Sequence, residues 1–171
     1  MADRRVAVTG VGIVAPGAIG AADYWRTLQA GESHVGPIAA FDASGFPSRA
    51  GGELKDFSAR NFVPRSYRKA VKVMARDIEI AVAAADLAAR DAGLVTAGID
   101  ADAADVAPET LGCNIGAGLI CSDLDELGAA VNTALRDGEF DLRLWGESGM
   151  ANLTPLWLLT VSYTHLRAHE T

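Results

Sequence analysis

The chain has 171 residues, half of them hydrophobic and 18 of them glycine, and its 15 Lys and Arg face 22 Asp and Glu for a formal net charge of −7. That balance excludes a general nucleic-acid binder and is too apolar for a disordered chain. A compact unit of this size hides about 70% of the surface its unfolded chain exposes, so it needs no disulfide or metal to hold it together. Two cysteines are no disulfide framework, and Met1 to Arg5 lacks the apolar run of a signal peptide. The longest apolar stretches, such as Ile80 to Ala85 and Leu156 to Leu159, fall far short of the about 20 residues of a membrane span. The expected setting is the cytoplasm, with no membrane contact.

In chain order, Arg5 to Val14 reads as a strand buried on both faces, broken by Gly10 and Gly12. A glycine-rich bend follows, then a short helix over Asp23 to Ala30 that Gly31 terminates. Glu32 to Pro64 carries three prolines and several glycines and reads as irregular loop, with at most a short strand near Gly52 to Leu54. Connections of that length usually serve function or lie against a neighbouring subunit. Ser66 to Ala92 is the strongest helix, because Tyr67, Ala70 or Val71, Met74, Ile78, Val82, Ala85 and Ala89 recur at helical spacing before Gly93. Its alanine-rich second half invites a neighbouring backbone to approach closely.

After an Ala/Asp-rich connector, Thr110 to Gly116 reads as a second buried strand. Gly116 and Gly118 form a turn, and Ser122 to Asp125 resembles a capping box opening a helix that runs to Asp137 and stops at Gly138. Strand, helix, helix, strand, helix is the order of an α/β fold with a largely parallel sheet.

Several short motifs suggest chemistry without its context. Gly10-Val11-Gly12-Ile13-Val14-Ala15 matches a dinucleotide fingerprint, but Pro16, Gly17 and Gly20 delay the helix that a pyrophosphate requires, so a tight bend is the better reading. Cys121 precedes a helix start yet has no nearby histidine, and Cys113 lies in the second strand. Gly146-Glu147-Ser148-Gly149 resembles a hydrolase elbow whose second glycine comes one residue early. Asp100, Asp102 and Asp105 lack the rest of a calcium loop, and His165 and His169 have no third ligand. No metal site is assigned.

The basic residues are more telling. Arg60, Arg65, Arg68, Lys69, Lys72 and Arg76 follow one another with no intervening acid, and positions 65, 68, 69, 72 and 76 share one stripe of the predicted helix. Their potentials add towards a common direction, which suits an acidic partner.

Taken together, residues 4 to 159 resemble the amino-terminal half of a β-ketoacyl-acyl-carrier-protein synthase, a condensing enzyme of the thiolase fold. The resemblance is carried by Val6-Ala7-Val8-Thr9-Gly10-Val11-Gly12, Trp25-Arg26-Thr27-Leu28 with Gly31 and Ser33, and Phe41 to Pro47 leading to Ala50-Gly51-Gly52-Glu53. Arg68-Lys69 to Met74, Asp91 to Leu94, Gly112 to Gly118 and Pro155 to Leu159 continue it in order. It implies half of a layered α/β/α/β/α body and a decarboxylative Claisen condensation, in which a cysteine takes an acyl group and a malonyl-carrier thioester loses carbon dioxide to attack it, in fatty acid or polyketide synthesis.

The resemblance puts the nucleophilic cysteine and both catalytic histidines beyond this chain, so no catalytic residue is assigned and the chain alone is expected to be inactive. No cofactor is called for. Lys69 and Lys72 fall where the family presents cations to its acyl carrier protein, with Arg65 and Arg68 flanking them. The complete protein is expected to be a homodimer. Ala75 departs from the family, where many relatives have aspartate, and Gly138 to Thr154 is atypical. A noncatalytic, chain-length-factor-like partner subunit is the alternative, and a dinucleotide-binding module a weaker one. The expected organisation is a truncated synthase domain over 1–159, followed by a non-native tail over 160–171.

Overall fold

A computed structural model describes residues 5–116 and 124–153. Its first regular feature is a hairpin, β1 (Val14–Ala15) with β2 (Ala18–Ile19), closed by Pro16 and by Gly17 at φ 76°. Proline followed by a residue of positive φ is the pattern of a type II turn. Helix α1 (Ala21–Ala30) follows and ends as expected at Gly31, whose φ is 67°. The Gly31 and Glu32 amides donate to the Leu28 and Thr27 carbonyls, a glycine-dependent helix stop. Between Glu32 and Pro64 the chain forms a second antiparallel pair, β3 (Val35–Pro37) with β4 (Ala50–Gly52), close to the single short strand expected there.

The long helix α2 spans Arg76–Asp91 and not Ser66 to Ala92. Upstream of it, 3₁₀ turns at Arg65–Tyr67 and Ala70–Val73 lead to Met74 and Ala75 in extended conformation, with ψ 134° and 159°. The difference has a physical cause. Over ten residues, apolar spacings of three and four satisfy a 3₁₀ turn as well as an α-helix, so Tyr67, Ala70, Val71 and Met74 face inward in either geometry. Val71 and Met74 join Ala59, Val63, Ala75 and Ile78 in the principal core cluster, with Phe57, Tyr67, Ala70 and Val82 packed against it. Helix α2 ends at Gly93 with φ 71°, as the sequence indicates.

The two expected strands are not ladder strands here. Residues 5–13 and 111–116 carry no strand assignment, and Val6 is 92% and Val8 84% exposed. A strand buried on both faces needs a ladder partner, and no ladder joins these segments among the described residues. The ladders that do form are antiparallel, not the parallel ones expected. Residues 5–13 are nonetheless placed. The Val11 amide donates to Asp91 Oδ2 at 2.9 Å, and Gly10 and Gly12 lie against the alanine face of α2. A methyl added at Gly12 would stand 2.6 Å from the Ala88 amide nitrogen, and one at Gly10 2.6 Å from that of Ala92. Close approach to α2, and not only a bend, is what these glycines permit.

The last part is a small module. Helix α3 (Leu124–Thr133) stops four residues earlier than Asp137, and β5 (Leu135–Arg136) pairs with β6 (Glu139–Phe140) around Asp137 and Gly138 at φ 54° and 86°. Two consecutive positive φ values mark the hairpin turn for which Asp-Gly is a strong signal. Gly138 therefore turns a hairpin and does not cap a helix. Asp141 caps α4 (Leu142–Leu144), accepting from the Arg143 and Leu144 amides, and a π turn over Trp145–Gly149 follows. Ser122 and the expected start of its capping box lie outside the described residues.

Candidate carrier-docking surface

The cations singled out above lie on a short ribbon of 3₁₀ character from Pro64 to Met74. Its amide bonds run from Tyr67 to Pro64, Arg68 to Arg65, Lys72 to Lys69 and Met74 to Val71, each spanning three residues. In that geometry side chains three apart eclipse one another, so Arg65 aligns with Arg68 and Lys69 with Lys72. All four are exposed, while Val71 is buried and Tyr67 and Ala70 are half-buried beneath them. The apolar side of the ribbon anchors it, and the cationic side is turned outward. No carboxylate pairs with any of the four among the described residues, so their field is not neutralised locally.

The fifth member of the expected stripe does not belong to it. Arg76 lies beyond the break at Met74 and Ala75, where its Nη1 donates to Glu79 Oε2 at 2.9 Å and its Nη2 to the Leu54 carbonyl at 3.2 Å. Its guanidinium also lies 4.7 Å from the centre of the Phe57 ring. A helical stripe would have required an unbroken helix from 65 to 76, and the extended pair interrupts it. The Glu79 pairing is visible as an i,i+3 spacing, but sequence spacing could not reveal the contacts with Leu54 and Phe57, which come from a segment about twenty residues away.

Next to the ribbon, a largely apolar cavity of about 470 Å³ opens between residues 8–10, α2 and residues 94–115, with Pro64 and Tyr67 of the ribbon in its wall. Cys113 borders it and is exposed. The described histidine, His34, is elsewhere, against Gly17 and 3.8 Å from Glu32, so no imidazole base stands by that thiol among the described residues. Ser148 is no nucleophile on an elbow. It sits in the π turn, with its hydroxyl donating to the Leu144 carbonyl. The Asp100 carboxylate accepts from the Asp102 and Ala103 amides and Asp105 from the Val95 amide, so these acids shape the connector. No group of metal-ligating side chains occurs among the described residues. Cys121, His165 and His169 lie outside them.

Comparison with known proteins agrees with this architecture. The fold is thiolase-like: the ishigamide ketosynthase/chain length factor superposes with a TM-score of 0.61 at 24% identity, over 95% of this chain and 35% of that one. Residues 3–153 match the β-ketoacyl synthase N-terminal domain, and the chain belongs to that family. Among curated relatives, the granaticin polyketide putative β-ketoacyl synthase 2 of Streptomyces violaceoruber is 40% identical over 85 residues, half of this chain and 20% of the relative. The 3-oxoacyl-[acyl-carrier-protein] synthase 2 of Synechocystis sp. is 44% identical over the same length and share. The chain thus spans about one fifth of the length of these relatives. The weak dinucleotide reading gives way to this family assignment, in line with the packing role of Gly10 and Gly12.

Proposed function

We propose that this chain supplies the amino-terminal, carrier-docking part of a β-ketoacyl-acyl-carrier-protein synthase. The observation that carries the reading is the family match over 3–153, joined to an exposed ribbon of four cations that no carboxylate pairs among the described residues, on an otherwise acidic chain. In the complete reaction an acyl group on a cysteine thiolate is attacked by the enolate that forms when a malonyl thioester loses carbon dioxide. The new carbon–carbon bond forms as the thioester carbon–sulfur bond breaks, and the thiolate is released. Arg65, Arg68, Lys69 and Lys72 take no part in those bonds. They bring the acidic carrier to the surface and orient it, which raises the encounter rate and favours one pose.

The same reading makes the partner an acyl carrier protein, the assembled enzyme a homodimer and the setting the cytoplasm. No helix of the described residues is long and apolar enough to cross a membrane. Residues 160–171 are proposed as a non-native tail, which long-read sequencing of the locus tests: a genomic frame that encodes this ending overturns it. A noncatalytic partner subunit is the second reading, and the reaction assay below separates it from the first.

Docking is tested by binding the chain to a holo-acyl carrier protein at low salt. Lys69→Glu combined with Lys72→Glu is expected to weaken the complex at least about tenfold, because like charges then face each other. An unchanged dissociation constant overturns the docking assignment. The reaction is tested on the polypeptide expressed from its genomic frame, supplied with acyl- and malonyl-carrier protein. Malonyl-dependent release of carbon dioxide with formation of a 3-oxoacyl product supports the enzyme, and its absence from a folded, carrier-binding protein favours the noncatalytic partner.

A further inference from the structure

We propose that Arg76 is a positioning residue for the basic ribbon, clipping together the two ends of the 55–75 excursion so that Arg65, Arg68, Lys69 and Lys72 are held in the arrangement an acidic carrier meets. The inference rests on the docking reading above and adds to it a residue that makes no contact with the carrier. The excursion leaves the chain just after Leu54 and returns just before Arg76, and Arg76 Nη2 binds the Leu54 carbonyl across that gap. Among the described residues no backbone hydrogen bond joins the two ends. The guanidinium face meets Phe57, which stacks on Phe62 at 5.8 Å, so the same group also touches the first turn inside the excursion.

Its charge is already paired. Nη1 lies 2.9 Å from Glu79 Oε2, one turn along α2, so Arg76 adds little to the field of the ribbon. Its separate contacts need the planar, forked guanidinium, which an ammonium at the end of a flexible stem does not reproduce. The clip acts where the ribbon is hinged. Met74 and Ala75 are extended, so no helical hydrogen-bond ladder runs through them to couple the ribbon to α2, and apolar packing beneath the ribbon fixes depth better than direction. Releasing the clip leaves the four cations in place chemically and lowers the fraction of molecules that present them together. A partner that binds only the competent arrangement loses apparent affinity in proportion to that fraction.

The test uses the full 171-residue chain, a holo-acyl carrier protein, and the variants Arg76→Lys and Arg76→Gln beside the charge-reversed Lys69→Glu/Lys72→Glu chain. Both Arg76 variants are expected to weaken carrier binding about tenfold, with lysine failing to rescue, if the competent fraction falls to about one in ten. The salt dependence of binding should stay as in the wild type, because the docking cations are unchanged. Amide hydrogen exchange should quicken at 65–73 while residues 80–90 of α2 keep their protection. Wild-type affinity in Arg76→Lys, or exchange that rises equally in the ribbon and in α2, overturns the clip. The charge-reversed chain separates the claims: normal binding by it removes the docking reading, whereas lost binding there with normal binding in Arg76→Lys removes the clip alone.

Discussion

Glu53 is the side chain through which acid acts most directly on this structure. Its Oε1 accepts from the Ala39 amide at 2.9 Å and from the Ala40 amide at 2.7 Å, fixing the chain as it leaves β3, and Lys55 lies 4.0 Å from the other oxygen. The Ala39 and then the Ala40 hydrogen bond, with a smaller contribution from Lys55, hold the carboxyl below its ordinary 4.5. A carboxylate whose pKa is lower folded than unfolded contributes stability that is present above 4.5 and is lost as pH falls through the folded value. The Ala39 and Ala40 amides should therefore be protected from exchange at neutral pH and lose that protection on acidification below 4.5. In Glu53→Gln, which keeps an acceptor but cannot titrate, protection should no longer depend on pH over that range. Equal acid responses in the two proteins would refute this. Nothing in the sequence marked Glu53 beyond its place in a family-like stretch, because an acceptor for two amides fourteen and thirteen residues away is visible only once β3 and β4 are paired.

Among the elements, α2 shows most clearly what periodicity can and cannot locate. Its alanine face, its apolar spacing and its glycine stop were legible, and its start was not. The helix starts at Arg76, and the N-cap before it is Ala75, in extended conformation and with no side-chain cap for the first amides. Position 75 is also where the family resemblance leads one to expect aspartate, and its place at the helix N-cap gives that expectation a physical meaning. Because Ala75 is buried in the core cluster, the small neutral substitution Ala75→Ser should supply the missing acceptor without burying a charge, raising stability by about 1 kcal/mol. A urea midpoint that rises without a change in slope is the expected result, and an unchanged or lower midpoint would count against the cap. The Asp137-Gly138 turn makes the complementary point. Read locally, its glycine stops a helix as readily as it turns a hairpin, and only the pairing of Leu135 with Phe140 decides between the two.

At the scale of the whole molecule the described core is thin. Its buried hydrophobic residues are mostly alanines, and Ile78 is the one large side chain among them that is fully buried. Meanwhile Val6, Val8, Trp25, Leu124 and Leu142 are each at least 60% exposed. Exposed apolar backbone with no ladder partner among the described residues, as in residues 5–10, is a template for pairing with another strand, and apolar patches of that kind promote association. The isolated chain is expected to self-associate with rising concentration, and Val6→Thr with Val8→Thr to reduce that association. Sedimentation velocity decides: a wild-type monomer whose sedimentation coefficient does not change with concentration contradicts the expectation.

The sequence by itself determined the local and additive properties of this protein. They are the two glycine-stopped helices, the need of its β-branched runs for burial, the run of cations without acids, and the family that its ordered motifs resemble. These follow from residues near one another in the chain. The tertiary structure decided which cations stand together, because Met74 and Ala75 break the helix that would have put Arg76 beside the others. It decided as well that Gly10 and Gly12 serve contact with α2, and that Arg76 closes the excursion carrying the ribbon. The last two depend on atoms brought together from distant parts of the chain, and the first on a backbone break that apolar spacing does not record.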